Sequence, residues 1–177
     1  MRIERPDRGP DLSFQVVGQA KTAGSKDPHL HTDADGTVKL WVSDNSGDAG
    51  KAWRNTIGYA ANAAMRGRER FEGPLYVEFT IVRKRGPGHF GQGRNAGKLL
   101  PSAPRYPATK PDAVKLARAL EDALTGIVWG DDSRNCTVHV EKVFAEPGEP
   151  TGAQVRIWEL PATVGPRVSA DQLALSA

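Results

Sequence analysis

The sequence predicts a single α+β domain in which a mixed or mainly antiparallel β-sheet is flanked by two main helices. Two observations support this class: several segments alternate apolar with polar residues, as half-buried strands do, and two others carry apolar residues at helical spacing. The length of 177 residues favours one core large enough to fold alone. We expect residues 1–10 to form a flexible lead, residues 11–160 the folded domain and residues 161–177 a tail.

The composition excludes several classes of protein. The single cysteine, Cys136, rules out an intrachain disulfide and a cysteine-based zinc site, so we expect a reducing compartment. No segment reaches transmembrane length, and the N-terminus lacks an apolar signal region, which predicts a soluble cytoplasmic protein with no membrane partner. No glycine-rich phosphate-binding motif occurs, so no nucleotide cofactor is expected.

The first two predicted strands alternate strictly, and we expect them to pair with each other. Their apolar positions are Leu12, Phe14 and Val16 in the first strand and Val38, Leu40 and Val42 in the second. The polar segment between them, residues 19–36, is rich in turn formers and predicts a hairpin loop. His29 and His31 lie in it beside two aspartates, but no other ligands converge there, so a polar loop is favoured over a metal site.

A helix and a long strand are predicted next. The helix runs roughly from Ala49 to Met65, capped by Asp44 or Ser46. Its core-facing residues are Trp53, Ile57, Ala60, Ala61 and Ala64. The strand that follows residues 73–74 alternates clearly, and we expect it near the middle of the sheet. Its apolar positions are Leu75, Val77, Phe79 and Ile81.

Residues 83–110 form a basic segment that contains neither Asp nor Glu. It is crowded with glycine and proline, which predicts a long mobile loop, and loops of this length are usually functional or disordered. Its one-sided charge favours binding of a nucleic-acid phosphate backbone over an inert insertion. Its basic residues are Arg83, Lys84, Arg85, Arg94, Lys98, Arg105 and Lys110.

The second helix is predicted from about Pro111 to Thr125. Proline suits a first helical turn, and Gly126 suits the left-handed position that closes a helix. The arc expected to be buried consists of Ala113, Leu116, Ala117, Leu120, Ala123 and Leu124. The opposite arc carries Asp112, Lys115, Arg118 and Asp122. Such a charged face is usually only a solvated surface.

The segments after this helix suggest that its charged face is more than a solvated surface. Residues 127–129 predict a strand or a short extended run, and residues 130–133 predict a turn that contains Asp131 and Asp132. Strands over residues 137–145 and 154–160 follow, joined by a hairpin turn at 146–150. The two aspartates of the turn allow convergence with Asp112, and several carboxylates are what a Mg²⁺-dependent phosphodiesterase needs.

These residues resemble the core motif of the RusA family of Holliday junction resolvases. The similarity lies in Lys-Pro-Asp112, Lys115, Arg118, Asp122-Ala-Leu-Thr-Gly and Trp129-Gly-Asp-Asp-Ser. The resolvases of this family are small dimeric endonucleases, typically encoded by phages and prophages. The resemblance implies a homodimer that acts on branched DNA such as a four-way junction, in recombination and repair. It also implies metal ligands at Asp112 and Asp132, with Asp131 as the acidic neighbour.

The motif departs from the family pattern at three positions. The family's second metal-binding Asp falls on Val114, which cannot ligate a metal, and its Asn falls on Lys115. Three outcomes are open: Asp131 or Asp122 substitutes as a ligand, the enzyme works with a reduced metal site, or the protein binds junctions without cutting them. Arg118 replaces the usual catalytic Lys; it would serve if that residue acts by charge, and would slow the reaction if it acts by proton transfer.

The function expected from the sequence is metal-assisted hydrolysis of a DNA phosphodiester. Mg²⁺ is the expected cofactor, with Mn²⁺ as a substitute. Asp112, Asp132, Arg118 and Lys115 are the expected catalytic residues, and the basic loop is expected to bind the backbone. The competing function is a junction-binding protein that has lost catalysis, with Val114 as its marker. A more distant alternative is an RNA- or protein-binding module.

Overall fold

A computed structural model describes residues 2–24, 26–44 and 47–163. The strands are β1 (Leu12–Val17), β2 (Lys26–Thr32), β3 (Val38–Asp44), β4 (Leu75–Arg83), β5 (Asn135–Phe144) and β6 (Gly152–Glu159). The helices are α1 (Gly47–Ala64) and α2 (Ala113–Leu124). Three single 3₁₀ turns lie at Pro87–His89, Gly93–Asn95 and Asp132–Arg134. The predicted α+β class with two main helices is confirmed.

The main sheet is mixed and has the strand order β1-β6-β4-β5. β4 pairs in parallel with β5 and antiparallel with β6, and β6 pairs antiparallel with β1. β4 is therefore an interior strand, as expected. Its residues are buried on both faces, because Tyr76 and Glu78 are covered as well as the alternating Val77 and Phe79.

Both helices cover one face of the sheet. α1 packs against β1, α2 packs against β4 and β5, and the two helices contact each other. Burial of their apolar stripes stabilises this packing, since burying one large aliphatic or aromatic side chain contributes about 1.5–3 kcal/mol. The buried stripe of α1 includes Trp53, Ile57 and Ala61, and that of α2 includes Leu116, Ala117, Leu120 and Leu124.

The N-terminal lead lies on the other face. Arg5 is placed over the Trp158 ring, with its guanidinium carbon 5.8 Å from the ring centroid, and pairs with Glu78 at 3.9 Å. The Trp158 indole N–H donates to the Arg8 carbonyl at 2.9 Å. The expected flexibility of residues 1–10 stays a prediction, while these contacts give the lead a defined position in the structure.

Two strand pairings differ from the sequence prediction. β3 pairs with β2 in a separate two-stranded sheet rather than with β1. The reason is local: the Asp33 and Gly36 backbones hydrogen-bond across a tight turn, with Gly36 at φ 82°, and this closes a hairpin inside the segment expected to be a loop. β5 and β6 do not form a hairpin either, because β4 lies between them.

Two smaller expectations are corrected, one is confirmed, and one falls outside the described side chains. Residues 127–129 form a turn with isolated bridges rather than a strand, and Trp129 is fully buried there. Pro111 lies just before the N-cap Asp112, outside the first helical turn. Gly126 adopts φ 82°, as expected for a residue that closes a helix. The predicted cap of α1 by Asp44 or Ser46 lies outside the described side chains.

Candidate active site and nucleic-acid surface

α2 begins at Asp112, whose carboxylate is not used to cap the helix. The residue has N-cap backbone geometry, but its side chain makes no capping hydrogen bond. The side chain is 61% exposed, and one of its oxygens lies 3.8 Å from the Lys115 ammonium. A carboxylate is stabilised near a helix N-terminus by the helix dipole. Asp112 therefore offers a charged, accessible ligand at this end of the helix.

The end of the basic loop is fixed to the sheet beside Asp112. The Lys142 ammonium of β5 donates to the carbonyls of Thr109 and Pro111, each at 2.9 Å. These two bonds hold the chain immediately before α2. The position of Asp112 therefore depends on a strand residue as well as on its own helix.

The outer face of α2 aligns Val114, Arg118 and Glu121, which recur at intervals of four and three residues. Arg118 is exposed, as the sequence predicts. Val114 is 76% exposed. Packing in this chain gives no reason for a valine there, and the position can accommodate a polar residue without loss of a core contact.

The two aspartates of the turn after α2, which we call the acidic turn, make different contacts. Asp131 is the N-cap of the 3₁₀ turn Asp132–Arg134, and its Oδ1 accepts from the Ser133 N–H at 2.9 Å. The hydrogen bonds from Ser133 lower the pKa of Asp131. Asp132 is exposed at the first position of the turn. The structure thus uses Asp131 to shape the turn and leaves the Asp132 side chain accessible.

Glu121 is a functional candidate that sequence reasoning missed. It is half-buried, and its Oε1 accepts from the Asn135 side chain at 3.1 Å. Burial raises the pKa of Glu121; Asn135 opposes this, and the nearby charges of Asp132 and Asp122 raise the pKa further. This hydrogen bond ties α2 to the start of β5. The available signal was its spacing, because position 121 shares a helical face with 114 and 118.

The carboxylates come from two elements. Asp112 begins α2, Asp131 and Asp132 lie in the turn that follows it, and Asp132 is close enough to Glu121 to raise the pKa of this residue. Among the described residues, no group of three or more His, Cys, Asp or Glu side chains is arranged to hold a metal ion. The roles expected for Asp112, Asp131 and Asp132 remain predictions.

The exposed donors fit one kind of metal site. Mg²⁺ typically takes one or two protein carboxylates and completes its shell with water and substrate phosphate oxygens. Asp112 and Asp132 supply accessible hard oxygen donors of this type. The chain is therefore suited to an open site completed by substrate, and not to a closed protein cage.

The basic loop folds back on itself and on the end of β5. Arg85 donates to the Pro104 carbonyl at 2.9 Å, and its guanidinium carbon lies 4.3 Å from the Phe144 ring centroid. His89 meets the same ring edge-on at 5.3 Å. The segment has no long regular element, as expected, and its predicted mobility stays a prediction. Arg85 is engaged within the chain.

Five other loop cations are exposed. Within the described part of the chain, no residue of the basic loop forms a salt bridge with a carboxylate. The exposed members are Lys84, Arg94, Lys98, Arg105 and Lys110. A surface with several unpaired cations attracts a polyanion. The loop also leads directly into Asp112, so the cationic surface and the carboxylates adjoin.

A cationic loop that leads into accessible carboxylates is the arrangement that a metal-dependent nuclease requires. Comparison with family models gives a match to Endodeoxyribonuclease RusA over residues 21–157. The chain therefore belongs to the RusA family of Holliday junction endodeoxyribonucleases, whose substrate is branched DNA. A search of curated proteins finds no match. No helix in the described residues is long and apolar enough to cross a membrane.

Proposed function

We propose that this chain resolves four-way DNA junctions by metal-assisted hydrolysis of a phosphodiester in each of two opposed strands. One observation supports this most: the accessible Asp112 carboxylate lies where the basic loop enters α2, on the helix that also presents Arg118. A phosphate held by the loop cations would thus be delivered beside the carboxylates.

Mg²⁺, with Mn²⁺ as a substitute, is the proposed cofactor. Asp112 and Asp132 would hold the cation, which would supply activation of a water nucleophile and polarisation of a phosphoryl oxygen. Asp131 would support these two ligands, because its Oδ1 accepts from the Ser133 N–H and fixes the turn. Its other carboxylate oxygen is left available as a ligand.

The basic residues of α2 act on the phosphate. Arg118 neutralises charge that develops on the phosphoryl oxygens, because a guanidinium stays charged at any working pH. Lys115 lies 3.8 Å from Asp112 and adds a second positive charge beside this carboxylate. Neither residue needs to transfer a proton in this scheme.

Because position 114 lacks a carboxylate, another side chain would have to supply the absent metal ligand. Asp131 is engaged in its turn, whereas Glu121 shares the helical face of Val114 and lies close to Asp132. We include Glu121, beside Asp131 and Asp122, among the groups that can cover for the absent ligand. The alternative function, junction binding without cleavage, rests on the exposed Val114 itself.

The proposed assembly is a homodimer. A four-way junction is close to two-fold symmetric, and a two-fold dimer presents equivalent sites to opposed strands. Phosphate contacts hold the junction without reading its sequence, so selection among DNA structures comes from shape.

The test is cleavage of a labelled synthetic junction with Mg²⁺, with Mn²⁺ and with EDTA, by the natural protein, Val114→Asp and Glu121→Gln. Metal-dependent paired nicks by the natural protein are expected. Loss of the nicks in Glu121→Gln and their return in the Val114→Asp, Glu121→Gln double variant would identify Glu121 as the substitute. Binding without nicks, with cleavage only after Val114→Asp, would instead establish the junction-binding alternative.

A further inference from the structure

Two adjoining cavities lie where β4 ends, away from the carboxylates of α2. The first, of about 360 Å³, is lined by Arg83 and Lys84 together with Gln19 and Thr151. The second, of about 460 Å³, is also lined by Lys84 and Thr151, so the two share a wall. Neither cavity is lined by a residue of α2 or of the acidic turn.

The first cavity has the chemistry of a phosphate site. Its lining contains two cations, an amide and a hydroxyl, and no carboxylate. The Arg83 guanidinium has one nitrogen, Nη1, that is buried and finds no hydrogen-bond partner in the described chain. Because Nη1 is closed to solvent, it does not itself face the cavity. An anion in the cavity would place its oxygens beside the rest of the guanidinium and beside the Lys84 ammonium.

The second cavity has a different character. Its walls include the apolar side chains of Phe90, Leu99 and Pro147. Glu146 and Glu149 also line it, and the Glu149 carboxylate is held in place by the Glu146 N–H at 2.8 Å. Arg85 also lines this cavity, but it donates to the Pro104 carbonyl and stacks on the Phe144 ring. The two carboxylates repel a phosphate, so an anion is directed to the first cavity. An aromatic and apolar wall suits the flat face of a nucleobase.

We propose that the two cavities together bind one unpaired nucleotide of branched DNA. Its phosphate lies with Arg83 and Lys84, and its base lies beside Phe90 and Leu99. A base inside a continuous duplex is stacked and paired, whereas a base at a branch point is extruded at lower cost. This subsite, which rests on the proposed function, supplies the selection by DNA structure that backbone contacts lack.

The experiment measures affinity by fluorescence anisotropy in EDTA, where no cleavage occurs, for a four-way junction and for a linear duplex with the same arm sequence. Arg83→Gln should weaken junction binding about tenfold and duplex binding no more than the control Arg66→Gln, which removes an exposed cation outside the cavities. Equal losses on both DNAs, or no loss, would overturn the subsite.

The base is tested separately. Abasic sites are placed one at a time at the nucleotides next to the branch point. One position should lower the affinity of the natural protein about tenfold, and the same abasic site should have no effect on Phe90→Ala. A natural protein that tolerates every abasic position would contradict binding of the base.

A third measurement separates this proposal from the proposed function. The single-stranded trinucleotide d(TTT) is titrated into the isotope-labelled natural protein and into Arg83→Gln, with amide NMR shifts as the readout. Shifts at Lys84, Phe90 and Thr151 in the natural protein alone support the subsite, even if the chain fails to bind or cut junctions. Absence of these shifts at millimolar d(TTT) would overturn the subsite, even if junctions are cleaved.

Discussion

Asp132 is the single residue on which the proposed chemistry depends most. Asp132→Asn removes a charged metal ligand and keeps the volume of the side chain. Because metal polarisation contributes several kcal/mol, cleavage should fall by at least about a thousandfold while junction affinity stays within about twofold. The measurement is single-turnover cleavage beside a binding titration. Glu69→Gln, at an exposed carboxylate away from the turn, serves as the control, and full cleavage by Asp132→Asn would eliminate the proposed site.

Glu121 should make stability depend on pH in a defined direction. Its pKa is raised in the folded protein, mainly by burial, above the ordinary value of 4.5. The folded state therefore favours the protonated carboxyl, and this stabilisation is fully present below pH 4.5 and is lost as pH rises through the folded pKa. Glu121→Gln, which keeps the acceptor for Asn135, should raise the free energy of unfolding near pH 7 and change it less near pH 4.

Urea denaturation at several pH values measures this effect. The difference between Glu121→Gln and the natural protein should grow from acid to neutral pH. Glu69→Gln should show no such growth, since this carboxylate is exposed. A difference that is flat with pH would mean that the burial of Glu121 has no energetic consequence.

Sequence reasoning succeeded at residues whose role is visible in a local pattern. The exposed face of α2, with Asp112 and Arg118, follows from helical periodicity, and the valine at 114 stands out against the family motif. Glu121 did not stand out, because its partner Asn135 is fourteen residues away and its burial depends on how β5 packs against α2. Such contacts arise from tertiary packing, which a linear pattern does not encode.

At the scale of elements, the basic loop is predicted to act as a unit in DNA binding. Each phosphate contact contributes about 0.9 to the slope of log affinity against log salt. Replacing Arg94, Lys98 and Arg105 with Ala should weaken junction binding and reduce the slope by about two to three units. Anisotropy titrations at several salt concentrations provide the measurement.

A matched triple variant shows whether location or charge alone matters. Lys51, Arg66 and Arg70 are exposed cations outside the loop, and their replacement with Ala removes the same total charge. This control should change the slope by less than one unit. An unchanged slope in the loop variant would remove these three residues from the DNA interface.

The strands show which element-level features a sequence can predict. Alternation located β1, β3 and β4, and the other two predicted strands match β5 and β6 to within a few residues. The pairing predictions were wrong where a tight turn competed with a distant partner, as in the β2–β3 hairpin, and where the parallel β4–β5 contact placed β4 between β5 and β6. Alternation records which residues share one face of a strand. It does not tell what covers that face, since Val38 and Leu40 of β3 are exposed, or which strand lies beside it.

At the scale of the whole molecule, the proposed dimer predicts coupled incision of opposed strands. Light scattering should give twice the 19.1 kDa chain mass. On a supercoiled plasmid carrying a cruciform, two sites held on one junction should cut both strands within one binding event and yield linear DNA. Mixed dimers with one Asp132→Asn subunit have a single competent site, so they should accumulate nicked circles. Two outcomes would mean that one chain carries out both incisions. One is that the mixed dimers give the same ratio of linear to nicked DNA as the natural protein; the other is a monomeric mass with undiminished linear product.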